Sequence, residues 1–525
     1  MLFSSYEFVF VFLPITWAVT ITLARWRSPR AAMFSLVAAS LFFYGWWNPA
    51  YLLLLAGSIG FNFTWARLLI PRDDASGAFS SKTLLTLGIS ANLLTLAYFK
   101  YFDFFAGSVL GALDLGYNEQ HIVLPLAISF FTFQQITYLI GVYHGEFQDK
   151  SLLRYALFVC FFPQLIAGPI VHFGEMLPQY LRRSCFMIEA KNIAIGLTIF
   201  VVGLFKKVAI ADNIAAWATP VFDAAEAGAA ISFLEGWGAA LAYTFQLYFD
   251  FSGYSDMAVG LAYLFGLRLT LNFYSPYKAT NIIDFWRRWH ISLSRFLRDY
   301  LYIPLGGNRR GTVARYRNLL VTMFLGGLWH GAGWTFVAWG SLHGIFLIVN
   351  HAWHHLRRRW GLEGLGAASR TASWALTFLV VVLAWVLFRA ESFDAAVEIY
   401  RGMFGANGVV MPPSYQGYLN HFAALGDLLA ASGVRFADEL RDFGGVLQLG
   451  TTAMLLLVVC FLPNVYDLMG EESPALDTTG VVTERDGRWA MRWAPSVRAA
   501  VVVVLLFLVA VIEMDGTTEF LYFQF

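Results

Sequence analysis

Apolar residues recur in runs long enough to cross a lipid bilayer, separated by short polar stretches, from residue 5 to residue 513. One helical crossing takes about 20 apolar residues. On that ruler the runs fall near 5–24, 32–47, 50–70, 83–104, 123–143, 152–170, 192–212, 232–250, 253–267, 319–330, 333–350, 372–389, 451–464 and 497–513. The runs 123–143, 152–170 and 319–330 contain proline or paired glycine and are expected to be re-entrant or broken, leaving about 11 to 13 full crossings. The pattern predicts an all-α polytopic membrane protein with one transmembrane domain over 1–525. Polar excursions at 390–450 and 465–496 interrupt the late spans. Within the first, Ala395–Met403 has the spacing of a short amphipathic helix; the second reads as an exposed loop.

One segment departs from this rhythm. In Asp284–Tyr302, Phe285, Trp289, Leu293, Phe296 and Tyr300 recur every three to four residues, while Arg287, His290, Ser294 and Arg298 share another face. That spacing predicts one amphipathic helix at the membrane interface, with Asp284 or Asn281 as its N-cap.

Composition agrees: 58% of the 525 residues are hydrophobic, 17% aromatic and 14% charged, which excludes an ordinary soluble domain. The net charge of +1 gives no reason to expect nucleic acid as a partner. Basic residues cluster between runs, at Arg25–Arg30, Arg182–Arg183 with Lys191, Lys206–Lys207, Arg309–Arg317 and Arg357–Arg359, and mark cytoplasmic loops. The N-terminus is then expected outside, with residues 5–24 as a retained first span. Three cysteines, Cys160, Cys185 and Cys460, exclude a disulfide framework or a cysteine zinc site.

Ionisable residues inside apolar runs are where chemistry is sought, because they are costly there. His330 stands in Phe324–Gly344, a stretch without a carboxylate. A neutral imidazole among Trp and Leu can accept a proton from a hydroxyl; a structural histidine bonded across helices is an equal alternative. His290 is the second candidate. His343 lies 13 residues beyond His330, on the other side of an ideal helix, and reads as structural. His351, His354 and His355 have metal-ligand spacing but read as a solvated face, so no metal is expected. Arg287, Arg288, Arg295 and Arg298 can hold a phosphorylated donor such as a coenzyme A thioester, or can serve topology and lipid headgroups. Gln246–Asp256 reads as a polar break facing a cavity or a turn. No Walker loop, Gly-x-Ser-x-Gly elbow or dinucleotide fingerprint is present, which disfavours hydrolase, pump and redox readings. A non-catalytic channel or exporter, lined by the two histidines, is the alternative from another class.

At Asp284-Phe-Trp-Arg-Arg-Trp-His290 and Leu328-Trp-His-Gly331 the chain resembles the membrane-bound O-acyltransferases. His at position 290 resembles the bacterial polysaccharide branch rather than the lipid-acylating members, many of which carry Asn. The stretches Ile128–Tyr138, Phe162–Pro169, Phe249–Ala258 and Tyr302–Asn308 extend the likeness to alginate O-acetylation proteins, with a family core at 128–350. The resemblance implies a helical bundle around a transmembrane tunnel, with His330 catalytic deep inside and His290 beside the cytoplasmic entrance. It implies O-acetylation of an exopolysaccharide such as alginate, with cellulose or peptidoglycan as alternatives. Acetyl-CoA is the expected donor, no bound cofactor is expected, and the expected location is the bacterial inner membrane. The chain lacks a Gly-Asp-Ser nucleophile block, so an extracytoplasmic acetyltransferase of esterase-like fold is expected as partner, beside the exopolysaccharide synthesis machinery and membrane lipids.

The C-terminal tail, 514–525, carries Phe520-Leu-Tyr-Phe-Gln-Phe525 and resembles a tyrosine-bearing motif that accompanies the related teichoic acid D-alanyl transferase. This implies Tyr522 as an acyl relay. An interfacial aromatic anchor and a remnant of a protease-cleavage tag are the competing readings, although Phe520 and Phe525 do not match that tag.

Overall fold

A computed structural model of the chain describes all residues except 71–79, 183–184, 188, 362–365, 423, 438–442, 479, 481–491, 516–520 and 522–525. The expected Tyr522 relay therefore lies outside the described residues.

The chain is an all-α polytopic membrane protein. Among the described residues, helices Phe8–Trp26, Ala50–Leu69, Ser81–Ala112, Ala190–Glu226 and Ala367–Arg389 are long and apolar enough to cross a membrane, and Gly445–Phe461 and Val497–Ile512 are shorter apolar helices. The described strands are the two-residue pair Val410–Met411 and Arg435–Phe436. Two of the helices begin on serine caps. The Ser28 hydroxyl accepts from Ala31 N–H, and that of Ser496 from Ala499 N–H, each satisfying a helix-end donor.

The sequence pattern split residues 232–267 into two spans around a polar break. The structure has one helix, Phe233–Leu264, 32 residues long and buried along nearly its whole length. The break is absent because its carboxylates are neutralised from a neighbouring helix. Lys207 Nζ lies 2.6 Å from Asp250 and 2.7 Å from Asp212, and Lys206 Nζ lies 2.6 Å from Asp256. Lys206–Lys207 is thus no cytoplasmic loop: it begins a π-helical stretch, Lys206–Ala211, inside the bundle. Glycines bring these two helices together. A Cβ on Gly203 would lie 2.5 Å from the carbonyl oxygen of Gly253, and one on Gly260 2.6 Å from that of Gly196.

Gly326–Gly327 does not break its helix either. Thr312–His330 runs through both, because Gly327 makes room for the next helix, Trp334–Arg359; a Cβ there would lie 2.3 Å from the Phe336 carbonyl oxygen. The interruption comes after His330, where Gly331 and Gly333 are extended. The segment 152–170 is broken as expected, into Leu152–Cys160 and Phe162–Leu165. In the first polar excursion the amphipathic helix is present as Phe393–Met403. In the second, the described residues 465–476 are less exposed than their composition indicated. Helix Val465–Met469 packs inward, with Tyr274 OH bonded to Asp467, and Leu476 bridges to Thr270.

Candidate functional site

His330 is the last residue of Thr312–His330 and only 3% exposed. Its Nδ1 lies 2.7 Å from the carbonyl oxygen of Gly326, one turn back. A carbonyl only accepts, so Nδ1 carries the proton and Nε2 carries the lone pair. Trp329 and Trp339 wall the ring, each with its centroid 5.0 Å away, and Phe388 lies at 5.3 Å.

The segment holding His290 is not the single amphipathic helix that its spacing suggested. It consists of helices Ile282–Arg288 and Ile291–Leu297, followed by a π-helical stretch, Arg298–Tyr302. His290 is the joint between the first two, with φ +43°, and is fully buried rather than on a polar face. The left-handed conformation is uncommon for a residue with a side chain, and here it turns the imidazole inward. Asn281, not Asp284, is the side-chain N-cap: its Oδ1 accepts from Asp284 N–H.

Asn272 sets the orientation of His290. Asn272 Oδ1 accepts from Ser292 N–H at 3.2 Å and from the Ser292 hydroxyl at 2.9 Å, and lies 3.1 Å from His290 Nδ1. The backbone N–H can only donate, which fixes that Asn atom as oxygen and makes His290 Nδ1 a donor as well. The two imidazoles therefore share one tautomer. Their ring centroids are 6.3 Å apart at 80°. His343 has the opposite role: its Nδ1 accepts from the Trp286 indole N–H at 3.3 Å, in keeping with a structural residue.

The arginines separate into different places. Arg287 and Arg288 line an open cavity of about 1410 Å³ together with Arg315, His354, Arg358 and Arg370. Arg288 is also paired with Asp284 at 2.7 Å. His351 and His355 line the same cavity, and no group of three metal-binding side chains occurs among the described residues. Arg295 points elsewhere, to Glu175 and within 3.5 Å of His172. Arg298 pairs with its neighbour Asp299 and is half exposed. The four arginines chosen from the sequence thus yield two at the cavity and two apart from it.

Three groups that sequence patterning passed over bear on the site. Asn272 is one. The others are Lys100 and Tyr101, which hold the end of the His330 helix: Lys100 Nζ donates to Trp329 O at 2.5 Å and to His330 O at 3.2 Å, and Tyr101 OH to Leu328 O at 2.9 Å. A lysine inside an apolar run was the available signal.

Chemically, a buried imidazole with its proton on Nδ1 and a lone pair on Nε2 can take a proton from a hydroxyl, and a basic cavity can hold an anionic donor. The sequence profile of the membrane-bound O-acyltransferase family matches residues 79–389, which contain both histidines. The chain is 37% identical to a "Probable alginate O-acetylase AlgI" of Pseudomonas putida over the full length of both chains. It is 46% identical to a "Peptidoglycan O-acetyltransferase" of Helicobacter pylori, over 78% of this chain and 81% of that one. With a "Teichoic acid D-alanyltransferase" of Streptococcus thermophilus it shares 29% identity over 52% of this chain and 69% of the other. The chain belongs to the membrane-bound O-acyltransferase family and is an acyltransferase.

Proposed function

We propose that this protein passes an acetyl group from a cytoplasmic thioester, acetyl-CoA, across the bacterial inner membrane for O-acetylation of an exopolysaccharide, with alginate as the polymer. The observation that carries this reading is the pair of inward-turned imidazoles, both with Nδ1–H committed to fixed acceptors. His330 Nε2 takes the proton of an acceptor hydroxyl as its oxygen attacks the thioester carbonyl carbon. The carbon–sulfur bond breaks, the acetyl group stays on the oxygen, and the imidazolium returns the proton to the departing thiolate. His290 orients donor and acceptor beside it.

The cavity lined by Arg287, Arg288 and Arg315 suits the phosphates of the donor, since guanidinium forks pair with phosphate oxygens. Arg315 and Arg358, from the basic stretches 309–317 and 357–359, both line it, which supports a cytoplasmic opening by the positive-inside rule.

The acceptor in this reading is Tyr522, whose aryl ester then acylates an extracytoplasmic acetyltransferase of esterase-like fold. Support comes from the residue before it. Leu521 is buried in the apolar core of the helical bundle. Intact-mass analysis after supplying labelled acetyl-CoA is expected to show one acetyl group, lost in Tyr522→Phe and in His330→Ala. Label that persists in Tyr522→Phe overturns the relay; polymer acetylation that persists in cells carrying His330→Ala overturns the whole reading.

A second polymer has its own observation. The Helicobacter pylori relative is 46% identical and named for peptidoglycan. Acetyl content of isolated exopolysaccharide and of isolated peptidoglycan, compared between wild type and deletion strain, decides between them.

A further inference from the structure

Helices end with their last carbonyls unbonded, and in a membrane no water is at hand to satisfy them. The helix that ends at His330 meets this need with two adjacent residues of the Ser81–Ala112 helix. Tyr101 OH takes the carbonyl of Leu328, and Lys100 Nζ takes those of Trp329 and His330. The ring of His330 takes that of Gly326.

Beyond His330 the chain cannot supply these bonds, because Gly331 is extended and held against the Phe336 ring, where a Cβ would approach to 2.2 Å. The ammonium also lies 5.7 Å from the centroid of Trp329, the ring that walls His330. A positive charge set against the negative end of a helix is favourable in itself. An ionisable side chain at membrane depth is nevertheless costly, which marks a functional role.

We propose that Lys100 is a positioning residue for acyl transfer: by binding the carbonyls of Trp329 and His330 it fixes the terminal turn, and with it the direction of His330 Nε2. Tyr101 shares the terminal carbonyls but carries no charge, so Lys100 is the member whose chemistry can be exchanged. The proposal rests on His330 being the base of the reaction.

The test uses the purified full chain in lipid nanodiscs with acetyl-CoA as probe and release of the first equivalent of free CoA as readout; kcat here is that rate at saturating acetyl-CoA and KM the concentration giving half of it. Misdirection of a catalytic group by about 1 Å costs about 100-fold in rate. Lys100→Met is accordingly expected to lower kcat by about 10- to 100-fold, while the KM for acetyl-CoA stays within about twofold. Lys100→Arg, which keeps a donor cation, is expected to recover most of that rate. A Lys100→Met protein with wild-type kcat overturns the proposal, as does one whose loss lies in KM alone. Should Lys100→Met not accumulate, Lys100→Gln and Lys100→Arg decide: Arg well above Gln supports the proposal, and equal rates overturn it. His330→Ala in the same assay separates the two readings. Full turnover there refutes the base assignment, whereas lost turnover there with unchanged Lys100→Met refutes only this proposal.

Discussion

Two clusters of polar side chains lie inside the apolar bundle, and they are built on opposite plans. Around Phe233–Leu264, Lys206 and Lys207 meet Asp256, Asp250 and Asp212 at 2.6 to 2.7 Å, charge against charge. Around His330 and His290 the groups are neutral rings whose Nδ1 protons go to a backbone carbonyl and an amide oxygen. The first sets two ammonium groups against three carboxylates and locks two helices together. In the second, the Nδ1 proton of each ring is held by a fixed acceptor, which puts the lone pair of His330 on Nε2 for chemistry. Buried polarity alone therefore does not mark a site; what matters is whether its groups pair charge with charge or are neutral rings held in one tautomer.

That contrast breaks most visibly at its strongest point. His330→Ala is expected to lower thioester cleavage by about 10²- to 10⁴-fold, the worth of a general base, with the thermal midpoint in detergent unchanged. Lys207→Met should do the reverse. It leaves Asp250 and Asp212 without their shared partner at a cost of about 3–5 kcal/mol, and the double change Lys207→Met with Asp250→Leu should regain the share of the more deeply buried Asp250 in a thermal-unfolding cycle. Recovery of neither stability nor yield in the double variant would mean that the ion pairs do more than cancel.

Asn272→Ala lies between the two plans. It strips the acceptor from His290 and from both Ser292 donors, so a loss of about 1–3 kcal/mol in unfolding is expected, together with reduced turnover. The smallest effects separate the arginines. Arg287→Ala at the cavity is expected to raise the KM for acetyl-CoA by about fivefold with kcat unchanged. Arg298→Ala, which breaks an exposed pair, is expected to cost less than about 1 kcal/mol and to alter neither constant.

Much of the fold was legible as hydropathy. The run 50–70 became Ala50–Leu69, and 372–389 became Ala367–Arg389, because bilayer thickness imposes helix length on sequence. The misses share a cause. Asp250 and Asp256 looked like a break because their lysines lie more than forty positions away in the chain, where they in turn looked like a loop. The 284–302 segment kept its helical spacing of aromatic residues across a bend at His290, and spacing does not register one left-handed residue. His330 and His290 were visible as ionisable groups in apolar surroundings. Lys100 carried the same signal in the run 83–104, but its partners did not; Asn272 carried none, since it acts only through contacts that folding creates.

The most direct test of the central claim takes wild type and His330→Ala from the same preparation and measures, on each, acetyl-CoA cleavage and thermal midpoint. Cleavage is expected to fall to background while the midpoint holds. Cleavage at the wild-type rate would contradict it, and would return His330 to the scaffold beside Lys207 and Asp250.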